Sequence, residues 1–332
     1  MSDVAPDRFI DNVFAYQKTA AVKAAIELDL FSAIGAGAST VDALAAGANA
    51  SPRGVRILCD YLTVQELLIK EGDRYRLTRS SAVFLDRRSP ACMASVVDFL
   101  AAPELMRLYL DDPASYVRNG GAIGLANLAP DHPVWVKFAR AMVPFVAPVA
   151  QGIAAEVARW PNPPRKVLDI AAGHGVFGIE IGKAVADARI VALDWKPVLE
   201  VAIENARRAG LGDRYRTIAG SAFEVEWGDG YDLILMPNFL HHFDRDGCVN
   251  LLERARRALV PGGAVVVVEM VPNDDRVSPP FPAMFAFVML GSTPKGDAWT
   301  AKELESMGRA AGFAHSKIQA LPPSPQTMVV FS

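Results

Sequence analysis

The sequence predicts a helical N-terminal half with the order of a winged helix, followed by a doubly wound, mostly parallel α/β sheet. Three observations carry this. Up to about residue 80 the apolar pattern reads helix, helix, helix, hairpin. After Pro161-Asn162-Pro163-Pro164 it changes to short apolar runs alternating with amphipathic stretches, and the first of these runs enters a glycine-rich loop. The 332 residues, 51% of them hydrophobic, suffice for two cores. The expected parts are residues 1–100, a helical connector over 101–160, and the α/β part over 161–332.

In the first part, Phe9, Val13, Tyr16, Ala20, Val22, Ile26 and Leu30 recur at helical spacing and predict helices ending near Gly35 and Gly37. So apolar a start predicts an association surface, hence a homodimer. Ser39-Thr40 caps a short helix, and Ser51-Pro52 opens another whose buried face is Val55, Leu58, Leu62, Leu67 and Leu68. Residues 68–78 alternate across Gly72 and predict a β-hairpin. A winged helix invites a DNA-binding reading, so a ligand-sensing regulator is one alternative. Its candidate reading helix, however, sets Arg53 and Arg56 against Asp60 and Glu66, and packing or dimerisation fits that charge balance better.

The connector reads as helices broken at Pro103, Pro113, Gly120-Gly121, Gly124 and Pro130, with Met106, Trp135, Phe138, Met142 and Phe145 as core or pocket wall. Beyond it, strands are expected at 166–170, 189–193, 231–236 and 264–269, with helices at 176–186, 197–209 and 246–259. Two more strands, near 314–320 and 328–331, finish one edge.

Composition narrows the partners. With 37 acidic and 34 basic residues the net charge is −3, which favours neither a phosphate backbone nor an anionic membrane surface, and leaves a small molecule as the expected ligand. Cys59, Cys92 and Cys248 stand apart, without disulfide or zinc spacing. No basic start precedes an apolar run at the N-terminus, and no stretch reaches the roughly 18 apolar residues of a membrane span. The expectation is a cytoplasmic protein with no membrane and no nucleic-acid partner.

Leu168-Asp169-Ile170-Ala171-Ala172-Gly173-His174-Gly175-Val176-Phe177-Gly178 contains GxGxxG between a strand and a helix, and Asp194 closes the second strand where a ribose-binding acid belongs. The glycines let the backbone approach a ligand, and Asp194 can accept from two ribose hydroxyls. The motif alone does not choose between a nicotinamide dinucleotide and S-adenosylmethionine. Asp169 weighs on that choice, because a carboxylate before the loop repels a pyrophosphate and attracts an ammonium or a sulfonium.

The fourth α/β strand runs into Pro237-Asn238-Phe239-Leu240-His241-His242-Phe243. Loops at the carboxyl ends of such strands border the ligand crevice, and a histidine there suits proton abstraction near neutral pH. Glu269 ends the next strand and faces the same edge. Adjacent histidines rarely point at one ion and no further ligand has the right spacing, so no metal is expected.

The order of these parts resembles the small-molecule O-methyltransferases of the caffeic acid, acetylserotonin and bacterial polyketide-tailoring type. The likeness rests on residues 24–31 (AAIELDLF), 72–78 (GDRYRLT), Leu168-Asp169 with Gly173 and Gly175, Phe138-Ala139-Arg140-Ala141-Met142, Pro261-Gly262-Gly263 and Ala311-Gly312-Phe313. It implies a class I, Rossmann-like methyltransferase fold, S-adenosylmethionine as cofactor, and a winged-helix-like dimerisation domain. It also implies that Gly173, Gly175 and Asp194 hold the methionine part and ribose, and that Phe223 packs near the adenine. Met142, Asp169, Trp195, Ser221, Ala222 and Asn238 complete the implied cofactor site. By the same resemblance His241, after Leu240, is the general base, Glu269 orients it, and His242 is a secondary candidate.

Two departures stand out. Ser221 occupies the place of an aspartate, and in Gly296-Asp297-Ala298-Trp299-Thr300 Ala298 stands where a second orienting glutamate belongs, with Asp297 as a neighbouring substitute. Methylation of carbon or nitrogen, another reaction of the bound cofactor, and a nicotinamide-dependent oxidoreductase remain alternatives at this point. The stretch 281–290 (FPAMFAFVML) reads as a helix that either walls an aromatic-accepting pocket or packs in a dimer core.

Overall fold

The computed structural model describes residues 6–122 and 131–332, in two compact units divided between Pro103 and Glu104. Gly124 and Pro130, read above as helix breaks, lie outside the described residues.

The first unit runs α1 (Asp7–Val13), α2 (Ala15–Glu27), α3 (Leu30–Gly35), α4 (Val41–Gly47), α5 (Pro52–Val64), β1 (Leu68–Glu71), β2 (Arg74–Leu77), α6 (Arg79–Phe84) and α7 (Val96–Leu100). Thr40 caps α4 by accepting from the Ala43 N–H at 3.4 Å. Leu30, Phe31, Leu44, Val55, Cys59, Leu62 and Tyr75 form the core. The β1–β2 hairpin is tied to α5 through Asp60, which accepts from Tyr75 Oη and Lys70 Nζ at 2.6 Å and from Arg56 at 3.0 Å. One of the two arginines of the would-be reading helix is thus spent inside the unit, as packing requires and DNA contact does not.

The second unit continues with α8 (Pro103–Leu110), α9 (Pro113–Asn119), α10 (Pro133–Ala141) and α11 (Val143–Val157). Val149, Ile153 and Val157 of α11 share one core with the sheet. The sheet comprises β3 (Lys166–Ile170), β4 (Arg189–Asp194), β5 (Tyr215–Ala219), β6 (Tyr231–Pro237), β7 (Leu259–Glu269), β8 (Ser316–Ala320) and β9 (Thr327–Phe331), in the order β5-β4-β3-β6-β7-β9-β8. The first five are parallel; β9 pairs antiparallel with both β7 and β8. Between strands lie α12 (Val176–Ala184), α13 (Lys196–Arg208), α14 (Arg245–Ala258), α15 (Pro280–Ser292) and α16 (Ala301–Ala310).

Both faces of the sheet are covered, which is why the central strands are continuously apolar. The order reverses between β3 and β6, so the crevice of this doubly wound fold opens at the carboxyl ends of those strands. Three elements escaped the sequence pattern: helix α6, the edge strand β5 and helix α16, the last started by a Thr300–Glu303 capping box. Among the described residues no single helix is long and apolar enough to cross a membrane; α10 and α11 pass such a test only as a pair bent by 60°.

Candidate active site

At the end of β3 the chain turns into α12 through Ala171, Gly173 and Gly175, all at positive φ. The three glycines of the motif serve different ends. A Cβ on Gly173 would meet nothing closer than 3.7 Å, so this position offers an open backbone. A Cβ on Gly175 would lie 2.5 Å from the Tyr215 hydroxyl, and one on Gly178 would lie 2.7 Å from Ile190 Cγ2 and 2.9 Å from Asp169 Oδ2. Those two keep α12 close to the sheet.

Two carboxyls flank the loop. Asp194 accepts from the Gly173 N–H at 2.7 Å and from its neighbour Trp195 at 2.6 Å, yet burial pushes its pKa up to about 6. Asp169 is fully buried; Oδ2 accepts from the Gly178 N–H at 3.0 Å and Oδ1 has no partner among the described residues. Burial first, and then the charge of Asp194, push the Asp169 carboxyl up to about 7 against the Gly178 hydrogen bond. An orphaned buried carboxyl oxygen under the loop and a second carboxyl held by the loop's open glycine fit a ligand that brings an ammonium group and a ribose, the two features of S-adenosylmethionine.

Each of the other residues of the implied cofactor site has its own local contacts. Ser221 Oγ accepts from the Phe223 N–H at 3.2 Å, and the Ala222 carbonyl accepts from Trp227 Nε1 at 3.0 Å. Phe223 remains partly exposed and meets Phe243 edge-on at 4.9 Å. Trp195 packs with Ala139, Val198 and Val201, and Met142 is buried at the C-terminus of α10. Asn238, at positive φ, donates its N–H to the Val268 carbonyl at 2.8 Å, and its amide oxygen accepts from Gln326.

Strand β6 leads into a 3-10 turn, Leu240–His242, which brings the histidines to the end of β7. His241 Nδ1 lies 2.6 Å from Glu269 Oε2, and Glu269 Oε1 accepts the N–H groups of Phe239 at 3.0 Å and His241 at 3.3 Å. Both side chains are buried. A carboxylate this close to Nδ1 selects the tautomer with the proton on Nδ1, leaving Nε2 as the acceptor. Phe285 of α15 meets the His241 ring edge-on at 4.9 Å, so the apolar stretch 281–290 does reach the histidine. His242 lies 4.3 Å from His241; burial, then that neighbour, lower its pKa well below the usual histidine range and keep it neutral.

The segment before α16 closes the other side. Asp297 donates its N–H to the His241 carbonyl at 3.0 Å, while its carboxylate accepts from Arg276 at 3.1 Å and from the Ala298 N–H at 2.8 Å. Asp297 therefore does not replace the missing glutamate with its side chain; it holds the backbone of His241 instead. Ala298 is fully buried. Arg276, Gln326 and Gly296 belong to this surround and carry no sequence motif of their own. Among the described residues no three His, Cys, Asp or Glu side chains are grouped to hold a metal.

Known proteins share both the sequence pattern and the fold. Residues 131–314 match the family model of an O-methyltransferase domain, and residues 10–87 that of an O-methyltransferase dimerisation domain. The chain is 27% identical to a 3-hydroxy-5-methyl-1-naphthoate 3-O-methyltransferase of Streptomyces sahachiroi, over 92% of this chain and 89% of that one. It is 25% identical to the tetracenomycin polyketide synthesis 8-O-methyl transferase of Streptomyces glaucescens, over 98% and 96%. Among solved structures it resembles a Nostoc punctiforme protein assigned as an O-methyltransferase, with a TM-score of 0.94, 47% identity and 99% of each chain covered.

Proposed function

Because the chain belongs to the O-methyltransferase family, whose methyl donor is S-adenosylmethionine, we propose that it methylates a hydroxyl of a small aromatic or polyketide-like molecule, with His241 as general base. Membership removes the nicotinamide and regulator readings. The observation that carries the base assignment is the buried contact of 2.6 Å between His241 Nδ1 and Glu269 Oε2.

The cofactor supplies an electrophilic methyl group on a sulfonium. Asp169 would hold its amino group, Asp194 its ribose hydroxyls, and the Gly173 backbone, Ser221, Ala222 and Phe223 its remaining polar and adenine parts, with Met142, Trp195 and Asn238 around them. The acceptor hydroxyl must lose its proton as its oxygen meets the methyl carbon. His241 Nε2 takes that proton, and Glu269 balances the positive charge the ring then carries. His242, held neutral, adds no competing charge. The aromatic face that Phe285 and its helix present favours a flat acceptor, in keeping with the naphthoate and tetracenomycin relatives. We place the reaction in the cytoplasm, in a homodimer built on residues 1–100, with 101–160 as pocket wall.

The test is His241→Ala, assayed with radiolabelled S-adenosylmethionine against a panel of hydroxynaphthoates and hydroxylated polyketides. Turnover is expected to fall by about 10²-fold or more while S-adenosylhomocysteine binds as before. Unchanged turnover would remove the base assignment, and loss of cofactor binding would show that the turn is structural.

A further inference from the structure

Asp169 is not the only orphaned polar group beneath the glycine loop. The Tyr215 hydroxyl is also buried without a hydrogen-bond partner among the described residues. Two unsatisfied polar atoms in one place are costly and call for a shared explanation.

The register puts them together. Asp169 pairs with Ala192 and Ala192 with Thr217, so Tyr215, two residues before Thr217, projects from the same face of the sheet. Both groups lie under the start of α12: the hydroxyl beneath Gly175, 2.5 Å from where a Cβ would stand, and the carboxyl beneath Gly178, at 2.9 Å by the same measure. Gly175 caps α12 and Gly178 lies in its first turn, so the two groups sit under one turn of the chain, near enough that the charge of Asp169 acts on the Tyr215 phenol.

We propose that Tyr215 is a positioning residue of the cofactor site, whose hydroxyl donates a hydrogen bond across one water to Asp169 and so lets that buried carboxyl ionise when the cofactor's ammonium group arrives. Tyr215 remains a donor throughout the working pH range, because burial and the nearby Asp169 and Asp194 hold its phenol well above the usual range. The other groups around Asp169 are accounted for. Asp194 on β4 opposes its ionisation, and His174, before α12, is kept neutral by burial with a pKa of about 4. Glu180 of α12 is paired with Lys183 at 2.7 Å, and Asp232 on β6 accepts from the Arg165 and Lys166 N–H groups at the far end of the strands. No cation faces Asp169 among the described residues, so a neutral donor is the help available.

The inference rests on the assignment of Asp169 to the cofactor's amino group, and the experiment separates the two. S-adenosylhomocysteine, which carries the same ammonium, is titrated calorimetrically between pH 5.5 and 9 in two buffers of different ionisation enthalpy, into wild type, Tyr215→Phe, Asp169→Asn and the double variant. In the wild type, affinity is expected to rise with pH and level off above about pH 7, with proton release on binding below that point. Tyr215→Phe, which keeps the ring, should bind roughly tenfold more weakly at pH 7, level off at higher pH, and approach wild type near pH 9. In the Asp169→Asn background the tyrosine change should have no effect. An unchanged profile in Tyr215→Phe overturns the proposal, as does an equal loss at every pH and in both backgrounds, which would mark mere packing. A wild-type affinity flat across pH removes Asp169 from the amino group and this inference with it.

Discussion

A carboxyl with no exposed surface must be neutral or compensated, and Asp169 has one N–H for its two oxygens. Its pKa stands at about 7 in the fold against 3.8 for the free group. Below about pH 4 it is protonated folded or unfolded and costs nothing. As pH rises the unfolded chain ionises first, so the fold loses stability until about pH 7, where the penalty levels off. Asp194, raised to about 6, adds a smaller penalty of the same sign that is complete about a unit lower. Asp169→Asn keeps an acceptor for the Gly178 N–H and abolishes the titration. In urea unfolding the ligand-free variant is therefore expected to exceed wild type at pH 8 by on the order of 2–4 kcal/mol, with the gap closing toward pH 4. A variant weaker than wild type at pH 8 would mean that the carboxyl is ionised and paired in the fold. On the role proposed for Asp169 the same substitution weakens cofactor binding, and the stability lost here is the cost of that proposed site.

At the scale of elements, the turn carrying His241 is gripped from two sides: by Glu269 at the end of β7 and by the segment between α15 and α16. Gly296 lies so close that a Cβ would stand 2.2 Å from the His241 carbonyl oxygen and 2.5 Å from Thr293 Oγ1. Gly296→Ala must push one of them away. Its expected effect is a loss of turnover of roughly tenfold to a hundredfold at nearly unchanged S-adenosylhomocysteine affinity, since the three atoms nearest such a Cβ belong to His241, His242 and Thr293. Equal loss of binding and turnover would point to a wider collapse of the segment. Nothing local in the sequence announces the hold of Gly296 and Asp297 on His241, because it joins residues more than fifty positions apart. What was legible has a local cause: β3, β4, β6 and β9 as apolar runs, the glycine loop by its spacing, and the histidines and Glu269 by their places at strand ends. The strand β5 was missed because Arg216, Thr217 and Ala219 are exposed and its pattern mixes Arg, Thr and Ile without a clean alternation. Tyr215 was missed with it, although its buried hydroxyl lies beneath Gly175 of the loop.

For the whole molecule, α1 poses a problem of stability. It has seven residues and none is buried, while Phe9 is 67% exposed, Val13 50% and Tyr16, in α2, 55%. A helix that short does not persist in water without burying a face. Residues 10–87 match an O-methyltransferase dimerisation domain, so a second copy of the chain is the natural cover for this apolar edge. Burying a side chain such as Phe or Val contributes roughly 1.5–3 kcal/mol, and two-fold symmetry counts each residue twice. Substituting Phe9→Asp together with Val13→Asp is then expected to weaken the dimer by several orders of magnitude. Neither side chain belongs to the unit's core, so circular dichroism and thermal unfolding at high dilution should stay close to wild type. Light scattering at micromolar concentration decides between outcomes: a dimer mass for wild type with a monomer mass for the variant supports this edge as the interface. A variant that stays dimeric places the interface elsewhere in the chain, and a monomeric wild type leaves α1 without the partner its composition demands.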